Sequence, residues 1–414
     1  MRMNVNMQSI SPRVFVMRAS ILYALMGIIQ LLHITFVAEF DIRSLLVLEG
    51  TVTLGMILLL LSYLRMSQSM EWPAFNQRVF KWLFLSTFVI TFVCSRLPYI
   101  FVFLEKGLYL TRLDTSVGGG GWYSAFSILF YPLCILLAFI DIPRRKYYGY
   151  AVLMFAVISV DFIILGTRNA PFFVLLFHLL MLRVRFFRVR SICCLVALAI
   201  FMVVLVDYQT RGRSADVLTV GWDWVATIRY SWIFDNMPIP SDVVSSTNEV
   251  FPVLMPLIYL VQYVTHSMAE FGVVLEHGAI GIFGSGLYFE DQVCLLLACD
   301  RQAIQDAILQ INPRAGTYQT LYASLLLDFG FIGTLILILL LVIYLLSGRK
   351  NGHVSGFVVY IVMVVLVSGI DNYIYNGLGV WRFGVFVALW YALSRRGGGL
   401  TTWPVRSGNE LSGH

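Results

Sequence analysis

Residues 321–346 read LYASLLLDFGFIGTLILILLLVIYLL, an apolar run broken by a single charge, Asp328. About 20 such residues are enough for a helix to cross the hydrocarbon core of a bilayer. The run therefore reads as a transmembrane helix. Working outward, runs of the same kind lie at Ser20–Val37, Ser44–Leu64, Trp82–Leu104, Trp122–Ile140, Tyr148–Leu165, Ala170–Leu182, Ser191–Val206, Phe357–Ile370 and Val380–Ser394. Together they predict about ten transmembrane helices. The alternating rhythm of a membrane β-barrel is absent, so the predicted fold is an all-α polytopic membrane protein.

Composition agrees. Of the 414 residues, 59% are hydrophobic and only 13% are charged, with a mean hydropathy of +0.81. A soluble domain carries about 25% charged residues. The 29 Lys and Arg exceed the 23 Asp and Glu by six. In a soluble chain that excess would suggest nucleic acid; here the cations fall in short loops and mark topology, so no nucleic-acid partner is expected. The N-terminus, alternate loops and the C-terminal tail hold about eighteen Lys and Arg, the opposite face about ten. Both termini are accordingly expected in the cytoplasm of a multi-pass inner-membrane protein.

This divides the chain into seven spans within 1–207, a large outward loop at 208–320, three spans within 321–396 and a disordered tail at 397–414. Val250–Tyr263, interrupted by Pro252 and Pro256, is expected to be an interfacial or re-entrant helix within that loop. Four cysteines sit in or beside apolar runs as small hydrophobes. Cys294 and Cys299 could form a disulfide if their face is oxidising. No Cys/His spacing resembles a zinc site.

Ionisable residues inside a membrane are costly and mark candidate sites. Arg96 lies near the outer end of the third span, and Asp161 is placed to pair with it, either as structure or as the lining of a cavity. Asp161 and Arg168, seven residues apart, would share a helical face. His33, Glu49 and His178 read as hydrogen-bonded packing. In the loop, Arg211 and Arg213 follow the seventh span, and two guanidiniums there can fork onto phosphate oxygens. Trp222, Trp224, Tyr230 and Trp232, with Arg229 among them, could stack on sugar rings or mark an interfacial helix. His266 precedes Glu270 by four residues; on a helix the carboxylate would orient the imidazole and raise its basicity. Glu276, His277, Glu290 and Asp291 compete for that role.

Gly316–Gly333 reads GTYQTLYASLLLDFGFIG. It resembles the late span of the Wzy-type polymerases of O-antigen and other oligosaccharide repeat units, which opens with an Asn-x-x-Thr-like turn and continues to Asp-Phe-Gly-x-x-Gly. Thr320, Asp328, Phe329, Gly330 and Gly333 fall on that pattern; Thr317 stands where Asn is usual. Gly166-Thr-Arg168 resembles the family's Gly-Ser-Arg turn, and Tyr263-Val-Thr-His266 its Tyr-x-Thr segment. The resemblance implies a membrane glycosyltransferase of the C-type fold, working without cofactor, metal or nucleotide sugar. Its substrates would be glycans linked to undecaprenyl diphosphate, within membrane lipid, and its expected partner a polysaccharide chain-length regulator. Arg168, Arg211, Arg213 and Arg314 would bind the diphosphate, and His266 with Glu270 would supply the base. Arg96, Asp161, Thr320 and Asp328 would line a cavity or hold the structure. Two alternatives are an O-antigen ligase, disfavoured because Gln319 and Thr320 stand where ligases carry a His-Asn pair, and a lipid-linked oligosaccharide flippase.

Overall fold

The computed structural model describes residues 10–36, 42–67, 70–113, 122–165, 169–181, 255–278, 280–294, 300–312, 320–347, 352–374 and 378–394. Among these the chain is helical, with two isolated β-bridges, Glu71 to His353 and Phe75 to Ser394, and no strand. The helices are α1 (Pro12–Phe36), α2 (Ile42–Met66), α3 (Gln77–Val89), α4 (Leu97–Leu113), α5 (Trp122–Leu137), α6 (Arg144–Ser159) and α7 (Asn169–Met181). They continue as α8 (Met255–His277), α9 (Leu287–Cys294), α10 (Arg301–Ile311), α11 (Leu321–Leu346), α12 (Gly356–Val367) and α13 (Gly379–Leu393). A π-helical stretch, Ile90–Arg96, joins α3 to α4, and a second, Val160–Ile164, ends α6.

Among the described residues, five helical segments are long and apolar enough to cross a membrane: Pro12–His33, Ile42–Met66, Gln77–Lys106, Arg145–Ile164 and Leu321–Leu346. Ile128–Leu137, Ala170–Met181, Gly356–Val367 and Gly379–Leu393 are shorter apolar helices. Leu335, Ile336, Leu339, Leu340 and Ile343 of α11 stand exposed on the bundle's surface, a face suited to hydrocarbon. α12 has no polar face and is buried from Val358 to Val367 except for the half-buried Ile361, as a helix apolar all round should be. The predicted seventh span, Ser191–Val206, lies outside the described residues, as do residues 208–254 and 395–414.

α11 begins and ends where the hydropathy placed it, because Thr320 caps it: the Thr320 hydroxyl accepts from Ala323 N at 3.2 Å. Asn76 caps α3 and Ser355 caps α12 in the same way. α1 starts eight residues before the predicted Ser20, since Arg13 and Arg18 find partners at the bundle end: Arg13 Nε donates to Tyr63 Oη (2.7 Å) and Arg18 Nη1 to the Leu180 carbonyl (2.7 Å). At that end too, Arg65 donates to the Tyr344 carbonyl and Glu71 N to the Gly352 carbonyl (2.9 Å). An aromatic nest of Phe15, Trp72, Phe75, Phe139 and Trp390 packs edge-on beside it. With Arg13, Arg18 and Arg65 gathered there, this is the basic end of the bundle.

One expectation needs correction. The helix expected to end at Tyr263 continues: α8 runs to His277 and packs against α1, α2 and α11, while residues 250–254 lie outside the described residues. Pro256 lies in its first turn, where a missing N–H costs nothing. Arg168, expected to share a helical face with Asp161, lies outside the described residues.

Candidate functional site

The end of the bundle away from the basic end holds the polar groups, in three parts. The first surrounds Asp161, which is buried. Arg96 grips it in bidentate fashion, Nε to Oδ1 at 2.6 Å and Nη2 to Oδ2 at 2.9 Å, and Tyr131 donates its hydroxyl to Oδ2. Arg96 closes one π-helical stretch and Asp161 lies in the other. A π turn inserts one residue into a helix and re-aims the side chains beyond it, a device frequent at functional sites. Over the Tyr131 ring, 5.3 Å from its centroid, lies the guanidinium of Arg382, in the first turn of α13. Arg382 also lies near the hydroxyl of Tyr373, which makes no hydrogen bond among the described residues. Asp371 also lies close enough to act on Tyr373, so two guanidiniums and two carboxylates gather at this end.

The second part is α8. Thr265, His266, Ser267 and Glu270 are all buried. The helix between His266 and Glu270 is continuous, so imidazole and carboxylate lie on one face. Ser267 Oγ donates to the Gly369 carbonyl at 2.7 Å, and Gln30 Nε2 of α1 donates to the carbonyls of Gly369 (3.0 Å) and Val264 (3.1 Å). Leu321 N, opening α11, donates to the Ser368 carbonyl at 3.2 Å. The turn after α12 thus gathers α1, α8 and α11 at Ser368 and Gly369, and five residues later carries Tyr373 to Arg382. His33, one turn beyond Gln30, is buried, and its Nε2 makes no hydrogen bond among the described residues.

The third part explains the Asp-Phe-Gly sequence. Gly330 adopts φ +66° and breaks α11 in its middle. The loop before α9 supplies what the break removes. Ser285 N and Gly286 N donate to the carbonyls of Leu327 and Asp328 (3.0 Å each), while Phe331 N and Ile332 N donate to those of Gly281 and Ile282 (3.2 Å each). A helix in hydrocarbon can be broken only where other groups complete its backbone bonds. The Asp328 carboxylate then receives Tyr288 N (2.8 Å) and Phe289 N (2.9 Å), capping α9. Small residues are obligatory: a Cβ on Gly284 would sit 2.1 Å from the Asp328 carbonyl carbon.

α9 and α10 are tied by Arg301 and Asp291 (Nε to Oδ1, 2.8 Å) and by Asn312 to the Tyr288 hydroxyl (2.9 Å). The bond to Asp291 raises the Arg301 pKa further, against the opposing effect of burial. This pair is partly exposed, and Arg301→Ala should cost no more than about 1 kcal/mol in a thermal melt. Cys294 is disulfide-bonded; Cys94 and Cys134 are free, so its partner lies outside the described residues.

No protein family, curated protein or solved structure matches this chain.

Of the sequence-predicted site residues, Arg96 and Asp161 meet in one cluster, His266 and Glu270 share a buried helix face, and Thr320 and Asp328 each cap a helix. Arg168, Arg211, Arg213 and Arg314 lie outside the described residues. Among the competitors, Glu276 pairs with Arg43 at 2.8 Å on the surface, and Asp291 is taken by Arg301. His178 is held by the Tyr147 hydroxyl (2.8 Å) and the Cys134 carbonyl (2.9 Å), and Glu49 is exposed on α2. Among the described residues no three His, Cys, Asp or Glu side chains are grouped to hold a metal ion. Sequence reasoning missed Arg382, although a charge two residues into a predicted span is the signal that singled out Arg96.

Proposed function

We propose that this protein is a membrane-embedded glycosyltransferase that polymerises oligosaccharide repeat units carried on undecaprenyl diphosphate, as in O-antigen assembly, at the outer face of the bacterial inner membrane. In this reading the ten predicted spans cross that membrane, both termini are cytoplasmic, and the 208–320 loop lies outside. The Lys and Arg asymmetry supports this orientation. So does the disulfide at Cys294, since such bonds persist in oxidising compartments.

The observation that carries the proposal is the meeting, through the turn after α12, of an arginine-bearing cluster and a buried His–Glu helix face at one end of an apolar bundle. Glycosyl transfer from a lipid diphosphate needs those two functions. His266 takes the proton from a hydroxyl on the non-reducing end of the incoming lipid-linked unit, with Glu270 supporting the imidazolium. The hydroxyl oxygen bonds to the anomeric carbon of the growing glycan as the bond from that carbon to the phosphate oxygen breaks. The electron pair leaves with undecaprenyl diphosphate, whose charge is met by arginine. Arg168, Arg211, Arg213 and Arg314 are the proposed diphosphate ligands. A chain-length regulator is the proposed partner.

The test is a glycan ladder. Deleting the protein from its own bacterium should leave lipopolysaccharide capped with a single repeat; bare core would mean that the protein delivers or ligates units instead, and would overturn the reading. Arg211→Ala and Arg168→Ala should each abolish long-chain polymer while the protein still inserts at normal levels. Wild-type chain lengths from either variant would remove that residue from the mechanism.

A further inference from the structure

A groove of about 1160 Å³ opens between the first turns of α3 and α6, at the basic end rather than at the polar site. Its lining changes character along the helices. Arg78, Lys81 and Lys146 stand exposed at its mouth, and no acidic residue lines it. None of the three cations is in an ion pair among the described residues. The neutral polar groups beside them are occupied: Asn76 caps α3, and the Gln77 amide donates to the Asp141 carbonyl. Phe80, Leu85 and Leu153 make the floor. Leu85 lies seven residues beyond Arg78, about 10 Å deeper along the helix axis.

Both walls belong to helices long enough to cross a membrane, Gln77–Lys106 and Arg145–Ile164. The mouth therefore sits at headgroup level, and the floor runs into the hydrocarbon. Trp82, largely exposed, lies beside the mouth with the Lys81 ammonium 5.2 Å from its ring centroid, the interfacial position that tryptophan favours. Uncompensated cations over an apolar channel match an amphiphile with a negative head. A volume near the upper limit of small-molecule sites suits a headgroup with part of an acyl chain. Basic pockets of this kind between membrane helices take anionic lipid headgroups.

We propose that the groove between α3 and α6 binds an anionic glycerophospholipid, its phosphodiester held by Arg78, Lys81 and Lys146 and one acyl chain laid over Phe80, Leu85 and Leu153. The site is separate from the glycosyl-transfer centre and stands whether or not that reading holds.

Delipidated full-length protein is titrated with phosphatidylglycerol, with phosphatidylcholine of the same chains, and with inorganic phosphate, and is followed by native mass spectrometry and thermal melting. Phosphatidylglycerol should give several-fold more retained adduct than phosphatidylcholine and a clearly larger rise in Tm; inorganic phosphate should give neither. In Arg78→Gln/Lys81→Gln/Lys146→Gln the preference should vanish. Gly149 lines the groove with open space above its Cα, so Gly149→Trp, which keeps all three cations, should displace both lipids. Equal binding of the two lipids by the wild type, full stabilisation by phosphate alone, or an unchanged preference in Gly149→Trp would each overturn the proposal.

Discussion

Asp161→Ala should destabilise the protein by about 3–5 kcal/mol, the cost of removing one partner from a buried ion pair. The carboxylate is almost fully buried and accepts from Arg96 at both oxygens and from Tyr131. Its loss deprives the guanidinium of its anion and the phenol of its acceptor. The melting temperature of the purified protein should fall accordingly, and a wild-type melt would show that the pair carries no such load. The double variant Arg96→Leu/Asp161→Leu separates structure from function. Apolar replacement of a whole buried pair is often neutral or stabilising, so the double variant should recover most of the stability. If the cluster also supports transfer of a glycan from an anionic carrier, the recovered protein will still fail to make long-chain polymer. A double variant that both folds and polymerises would make the pair purely structural.

Gly330→Ala should cost at least about 3 kcal/mol, combining the left-handed backbone with the loss of backbone bonds around the break in α11. Gly330 has φ +66°, and a Cβ there would stand 2.5 Å from the Ile282 carbonyl oxygen. The added methyl pushes away the 281–286 segment that completes α11. Amide exchange at Ser285 and Gly286 should rise by orders of magnitude, and α9, capped by Asp328, should loosen with them. Gly352→Ala is the control: its φ is +64° but nothing lies within 4 Å of the added Cβ. It should cost only about 1–2 kcal/mol. Equal effects at the two glycines would show that the contact between loop and break contributes nothing.

Much of the helical layout was legible because hydropathy is a local property. A run of apolar residues must be helical in hydrocarbon whatever its neighbours are, so α2, α5, α7, α11, α12 and α13 fall within a few residues of their predicted limits. The cap on α11 was equally local, since Thr320 bonds an amide three residues on. The helical spacing of His266 and Glu270 was readable for the same reason. Their burial was not, because it depends on α1 and α2 closing over a segment more than 200 residues away.

Charge placed inside apolar sequence singled out Arg96 and Asp161 as a pair, since a membrane leaves few ways to keep an ion. The sequence determined, then, that this chain is a helical bundle with costly polar groups at particular depths. Only the tertiary structure decided which groups meet: that Arg382 joins Arg96 over Tyr131, that two π turns aim the pair, and that Asp328 and Gly330 close a broken helix around a loop. Those contacts join residues far apart in sequence, and their energies depend on distance and burial, which arise only when the helices pack.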